Sequence, residues 1–370
     1  MLSLIRPAPT PSRRWPRHAA RLSVESLEDR SLPSGSAAPT HLLVHPGESI
    51  QAAIDRAAPG AEIDIAPGTY AEAVTVGKPG IRLTGRPGPH GEGVVIVNPG
   101  DEETGVTVTG AGDGFALRNV TVRGFEESGV LLTGVDRFAL TDVTAENDGE
   151  YGLFPIHSSH GVIDHCTASG HSDIGLYVGQ SHDVVVRRCT MFANVVGIGT
   201  ENCSDVRLSD NESYDNTAGI LVTLLPGLAV TTSADVLVDH NSVHDNNRAN
   251  FAEPGEIESF VPAGIGILVL GTDRATVRDN HVTGNHFVGI GVGSSRLFIG
   301  LGALPPAAFA GVEPNPDGTR VLNNVVTGNG GGSPVLGFPP ADLLWDGSGT
   351  DNVWAGNRFG TSSPSVLPGR

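Results

Sequence analysis

A glycine followed by Ile, Leu or Val returns at Gly129, Gly152, Gly175, Gly197 and Gly219, at intervals of 23, 23, 22 and 22 residues. Gly266 and Gly289 resume the beat, and the 47 residues before Gly266 equal two periods plus a short insertion. A fixed period of this length makes each repeat one supersecondary unit, which buries its apolar side only against its neighbours. A second marker keeps step: Asn119, Asp142, Cys166, Cys189 and Asn211, then Asn241, Asn280, Asn324 and Asn357. A third follows five residues after most of these, at Asn147, His171, Asn194, Asn216, Asn246, Asn285 and Asn329.

Within each period the apolar residues alternate over four or five positions, the signature of a short strand. Leu176 and Val178 follow Gly175, and Val184 and Val186 mark a second strand. Two or three short strands per period of about 22 residues predict an all-β solenoid, a right-handed parallel β-helix whose coils stack about 4.8 Å apart. Inward Asn side chains can bond the backbone of adjacent coils and satisfy buried turn groups. A leucine-rich repeat has a similar period, but its Leu framework is absent. About ten coils fit between residues 61 and 360, a rod of roughly 50 Å. Open ends of such a stack need cover. Ser49 is a helix N-cap, with Ile50, Ala53, Ile54 and Ala57 on one face and Pro59-Gly60 as the stop. Leu343, Leu344, Trp345 and Trp354 offer apolar cover at the other end.

Composition agrees. The 50 Gly and 26 Pro favour turns over helices. No apolar run reaches the length of a membrane span. The formal charge is −18, and without residues 1–30 the chain carries 17 basic residues against 38 acidic ones. Such a body repels phosphate, so nucleic acid is not an expected partner. Lys78 is the single lysine, which argues against a lysine base in mid-chain. Cys166, Cys189 and Cys203 form neither a disulfide framework nor a zinc motif. The stacked positions of Cys166 and Cys189 predict buried thiols.

Residues 1–38 read as a basic, Pro-rich arm that cannot bury apolar surface, and they lack the apolar core of a standard signal peptide. Residues 39–370 read as a single domain, with the cap over 41–70. Val24-Glu25-Ser26-Leu27-Glu28-Asp29-Arg30-Ser31-Leu32-Pro33-Ser34 resembles the V-E-x-L-E-D-R-x-x-P-S segment near the start of many planctomycete surface or exported proteins. That resemblance implies an extracellular, cell-surface or periplasmic location.

Gly47-Glu48-Ser49-Ile50-Gln51-Ala52-Ala53-Ile54 and Ala66-Pro67-Gly68-Thr69-Tyr70 resemble the opening of pectin-lyase-like β-helix proteins. Glu150-Tyr151-Gly152-Leu153, Asp173–Ser181 and Asn216–Val222 are similar to bacterial right-handed β-helix repeat proteins, including the NosD-like group. The resemblance covers about 300 residues and implies a fold that hosts lyases, hydrolases, epimerases and adhesins alike. Polygalacturonase-type motifs are missing. Alginate epimerases carry Y-G-x-D-P-H-D, whereas Tyr151–His157 keeps the Tyr, Gly and Pro but has Phe154, Ile156 and His157 at the Asp, His and Asp positions.

Three insertions, at about 223–234, 247–263 and 294–318, flank the Gly-marked strand and would wall a groove for an extended polysaccharide. Outward residues two after each Gly make Phe154 and Tyr177 vertical neighbours, a stacking platform for sugar rings. Glu150 and Gln180 join them as substrate contacts. His157, Asp173 and Glu201 are the candidate catalytic groups, since carboxylates beside a His perform acid–base work. His157 is the expected proton carrier. His160 and His182 should stack, but a third ligand is not evident, so no metal and no cofactor is expected. Asp136, Asp183, Asp205, Asp235 and Asp273 read as turn formers. The expectation is a monomer that binds and possibly processes an extended polysaccharide. The alternatives are a non-enzymatic spacer and a NosD-like metal-handling role.

Overall fold

The computed structural model describes residues 38–369. The arginine-rich arm and the Val24–Ser34 segment lie outside them. The first element is a strand, His41–Val44, followed by the capping helix Ile50–Arg56. The Ser49 side chain accepts from the Ala52 N–H at 3.1 Å, and Ile50, Ala53 and Ile54 are buried against the first coil. The Glu72 carboxylate takes the Ile50 and Gln51 N–H groups. The sole lysine closes the other end, with Lys78 Nζ on the carbonyls of Ile54, Asp55 and Ala57 at 3.0, 2.6 and 3.1 Å. Lys78 is therefore a helix C-cap, where a cation meets the orphan carbonyls.

From there the chain winds in stacked coils. Eleven strands form one parallel sheet and 21 shorter ones a second, and each strand pairs with its equivalent one coil away. The marker glycines stand in one column. Gly152 lies between Gly129 and Gly175, and the pairing continues through Gly197, Gly219, Gly266 and Gly289. Gly105 extends the column one coil earlier, and Asp342 takes the next place at its far end.

The glycines face inward for a steric reason. A Cβ on Gly219 would lie 2.5 Å from Val243 Cγ1, 2.6 Å from the Gly266 carbonyl oxygen and 2.9 Å from Asn246 Nδ2. The space is filled by an asparagine ladder. Asn194, Asn216, Asn246, Asn285 and Asn329 each offer Oδ1 to the backbone N–H of the residue one coil earlier, and Asp342 ends the run by accepting from Asn329. A parallel ladder runs Asn211, Asn241, Asn280, Asn324 and Asn357. Each rung satisfies turn groups that the core cannot hydrate.

Five marker positions are shifted by one residue. Asn119, Asp142 and Asn147 are exposed left-handed turn residues, with φ of 52°, 53° and 53°. The inward places belong to Val120, Val143 and Asp148. Asp136 and Asp273 likewise precede the left-handed residues Arg137 and Arg274, whereas Asp183, Asp205 and Asp235 occupy that conformation themselves. The turn residue and the ladder residue are adjacent, and either tolerates Asn or Asp, so spacing alone does not separate them.

His171 sits fully buried in the ladder, 2.8 Å from Asn194 Oδ1 and 3.4 Å from Asp148 Oδ2. Cys166, Cys189 and Cys203 are free buried thiols, with the Cys166 N–H 3.4 Å from Cys189 Sγ. At the C-terminal end Leu343, Trp354 and Leu367 are buried and the Ser362–Ser363 strand covers the last coil. No described helix is long and apolar enough to cross a membrane.

Candidate functional site

On the outer face of the 11-stranded sheet, the residues two after each glycine form the column Leu131, Phe154, Tyr177, Gly199, Leu221, Leu268 and Gly291. The Phe154 and Tyr177 rings stack at 4.6 Å and 17°. Tyr151 completes a trio, 4.5 Å from Phe154 and 5.4 Å from Tyr177. Position relative to Gly152 did not mark Tyr151, because it lies one residue outside the strand's alternation.

The insertions fold back over this face. The loop after Gly219 is tied down by Asn202, whose Nδ2 donates to Leu225 O and Val230 O and whose Oδ1 accepts the Leu225 N–H. Gln180 Oε1 accepts the Val230 N–H at 3.0 Å, so Gln180 holds this loop where a substrate contact was expected. The 247–263 insertion is pinned by Asn250, which donates to Glu258 O and Val261 O. Val261 packs into one apolar cluster with Ile174, Tyr177, Leu221 and Ile265. Tyr177 is thereby left only 8% exposed. It is the covered end of the aromatic trio, while Phe154 and Tyr151 remain half-buried. Leu225, Ile257, Glu258 and Phe298, drawn from all three insertions, line a narrow pocket with Tyr177 and Glu201.

Carboxylates gather at this point. Glu127, Glu150 and Asp173 hold the same place in three successive coils, linked by Glu150 N–H to Glu127 O at 2.7 Å and Asp173 N–H to Glu150 O at 3.2 Å. Tyr177 donates its hydroxyl to Glu201 Oε1 at 2.7 Å. Glu258, brought in by the second insertion, lies close enough for its charge to bear on Asp173. Burial pushes the Glu201 carboxyl up to about 7, Tyr177 pulls against that rise, and Glu258 adds to it. Burial, then Glu258, raises Asp173 well above the usual carboxylate range. Burial also raises Glu258 and Glu150, reinforced in both by neighbouring carboxylates. A carboxyl that keeps its proton near neutrality can act as a general acid.

The structure thus brings Glu150, Asp173, Glu201, Phe154 and Tyr177 together and adds Tyr151 and Glu258. His157 stands apart on the left-handed turn after the Gly152 strand, with φ of 52°. It is exposed, and its ring makes no hydrogen bond or ion pair among the described residues. Glu258 was not legible because its loop meets Asp173 from 85 residues further along the chain. The His160 and His182 rings meet edge-on at 5.7 Å, with His160 bonded to Asp136. Among the described residues no group of three or more His, Cys, Asp and Glu side chains is placed to hold a metal ion.

Stack, caps and inward ladders define a right-handed parallel β-helix repeat protein. The family described as right handed beta helix region matches residues 104–225. Among solved structures, the A-module of mannuronan C-5 epimerase AlgE6 from Azotobacter vinelandii is 17% identical, with a TM-score of 0.61 over 86% of this chain and 92% of that one. The AlgE4 A-module from the same organism is also 17% identical, at 0.59 over 86% and 93%. The Dettilon tailspike protein is 13% identical, at 0.54 over 86% and 68%. At these identities the likeness is one of fold. No curated protein sequence matches.

Proposed function

We propose that this is an exported β-helix protein that binds an extended polysaccharide across the Gly152–Gly219 strands and modifies it by acid–base chemistry. The observation that carries the reading is the Tyr177–Glu201 pair, a carboxyl raised to about 7 beside Asp173 and the aromatic trio. In this reading sugar rings lie against Phe154 and Tyr151, because a flat apolar ring face suits an aromatic surface. Glu201 delivers its proton to a bridging oxygen as the bond from that oxygen to the sugar carbon breaks, with Tyr177 holding the carboxyl in place. Asp173, ionised once the insertion lifts, is the second carboxyl and takes a proton from the water that adds to that carbon. Glu150 and the exposed His157 contact the chain at the rim. The 247–263 insertion must move aside to admit it, since it now covers Tyr177.

Two supports stand behind the polymer reading. A stacked sheet repeats the same outward position every coil, which suits a repeating ligand. Solved structures of this fold include two mannuronan C-5 epimerase modules and a tailspike protein. The test is a glycan array with the full chain, followed by product analysis on whatever binds. Glu201→Gln should keep binding and lose turnover. Retained turnover in that variant would remove Glu201 from the chemistry, and no binding to any polymer would leave the spacer role.

A further inference from the structure

We propose that the polymer carries protonated amino groups, and that one ammonium seats on Asp173 beside Glu150, against the aromatic trio, once the 247–263 insertion has lifted. This rests on the glycan reading above and narrows it to an amino-sugar chain.

The like-charged column is the first ground. Glu127, Glu150 and Asp173 stack in register just before three successive strands, although like charges on adjacent coils repel. The 247–263 insertion adds Glu253, Glu256 and Glu258 to the same place, and Glu201 lies beside them. No Lys, Arg or His side chain forms an ion pair with any of these seven carboxylates among the described residues. Other buried or half-buried carboxylates do find cations: Asp164 is clasped by Arg187 and Arg188, and Asp239 by Arg207 and Arg278.

A second, independent ground is an orphaned atom. Asp173 is 3% exposed, yet its Oδ1 has no hydrogen-bond partner. A buried acceptor left empty costs on the order of 1–3 kcal/mol, so a donor from a ligand is the natural occupant. The third ground is the ring surface. Tyr151, Phe154 and Tyr177 lie within 5.4 Å of one another beside that acceptor, and aromatic faces attract ammonium groups. An ammonium satisfies carboxylate and rings at once. With the insertion lifted, Asp173 regains water and loses Glu258, the two main causes of its raised pKa, so it meets the ligand as a carboxylate that attracts an ammonium and repels a uronate.

The experiment compares three oligomers of equal length on the full chain by titration calorimetry: β-1,4-linked glucosamine, its N-acetylated form and a polyuronate. The expected order is glucosamine first, tighter than the acetylated form by about tenfold or more, with the uronate not binding. Asp173→Asn should erase the preference for the amine, and Glu150→Gln, at the same place one coil earlier, should reduce it. An acetylated or uronate oligomer binding as tightly as the amine would overturn this proposal and leave the glycan reading standing. No binding by any of the three, in a protein that melts cooperatively, would overturn both.

Discussion

Glu201 is 9% exposed and shares its carboxyl with a tyrosine hydroxyl, so its protonation is tied to folding. Folding raises its pKa from the ordinary 4.5 to about 7, so the native state holds a proton that the unfolded chain has released across that interval. The stabilisation is complete below the unfolded value and is lost as pH climbs through 7, about 3 kcal/mol in all. Asp173 and Glu258 are raised too and act with the same sign. Melting temperature should therefore fall between pH 4.5 and 8, and Glu201→Gln should flatten the fall; an unchanged slope would show that this carboxyl titrates normally. Tyr177→Phe removes the one bond that pulls Glu201 down, so any turnover should persist to higher pH in that variant, read from its pH–rate profile. Tyr177→Ala belongs to a different class of change. The ring is buried under Val261, and its loss should cost about 3–5 kcal/mol in denaturant unfolding.

Along each coil the unit of stability is the ladder rung. Asn246 Oδ1 accepts from the Asn216 backbone and side chain, and its Nδ2 donates to Ser213 O and Asn285 Oδ1. Asn246→Ala strands several buried groups at once, and urea unfolding should show a loss above about 3 kcal/mol. Gly219→Ala should cost about 1–3 kcal/mol through overpacking, because a core valine, a backbone oxygen and a ladder amide already fill the space. These elements explain what was readable beforehand. The glycine column was legible because stacking forces one residue type to recur at one interval. Asn119, Asp142 and Asn147 misled by one place because the left-handed turn accepts the same residues as the rung beside it. Tyr177 could be placed on its strand by alternation, but its cover could not, since Val261 returns to it from 84 residues away. Glu258 escaped for the same reason.

Taken whole, the stack separates maintenance from chemistry. The 21-stranded sheet bears most of the paired Arg–Asp groups and the Phe192–Tyr214–His244 ring stack, at 5.3 Å per step. The 11-stranded sheet carries the insertions, Tyr151, Tyr177 and the carboxylates around Asp173. The capping helix covers the first coil, and the two-residue Ser362–Ser363 strand leaves only a short edge at the other end. Lys78→Ala should lower stability by about 1 kcal/mol through the helix C-terminus and leave glycan binding unchanged. The most direct measurement of the central claim is a crystal structure of Glu201→Gln with a bound amino-sugar oligomer. The account predicts sugar rings against Phe154 and Tyr151, an amine within hydrogen-bond distance of Asp173, and the 247–263 insertion displaced from Tyr177. An oligomer seated on the 21-stranded sheet, with that insertion still covering Tyr177, would contradict it.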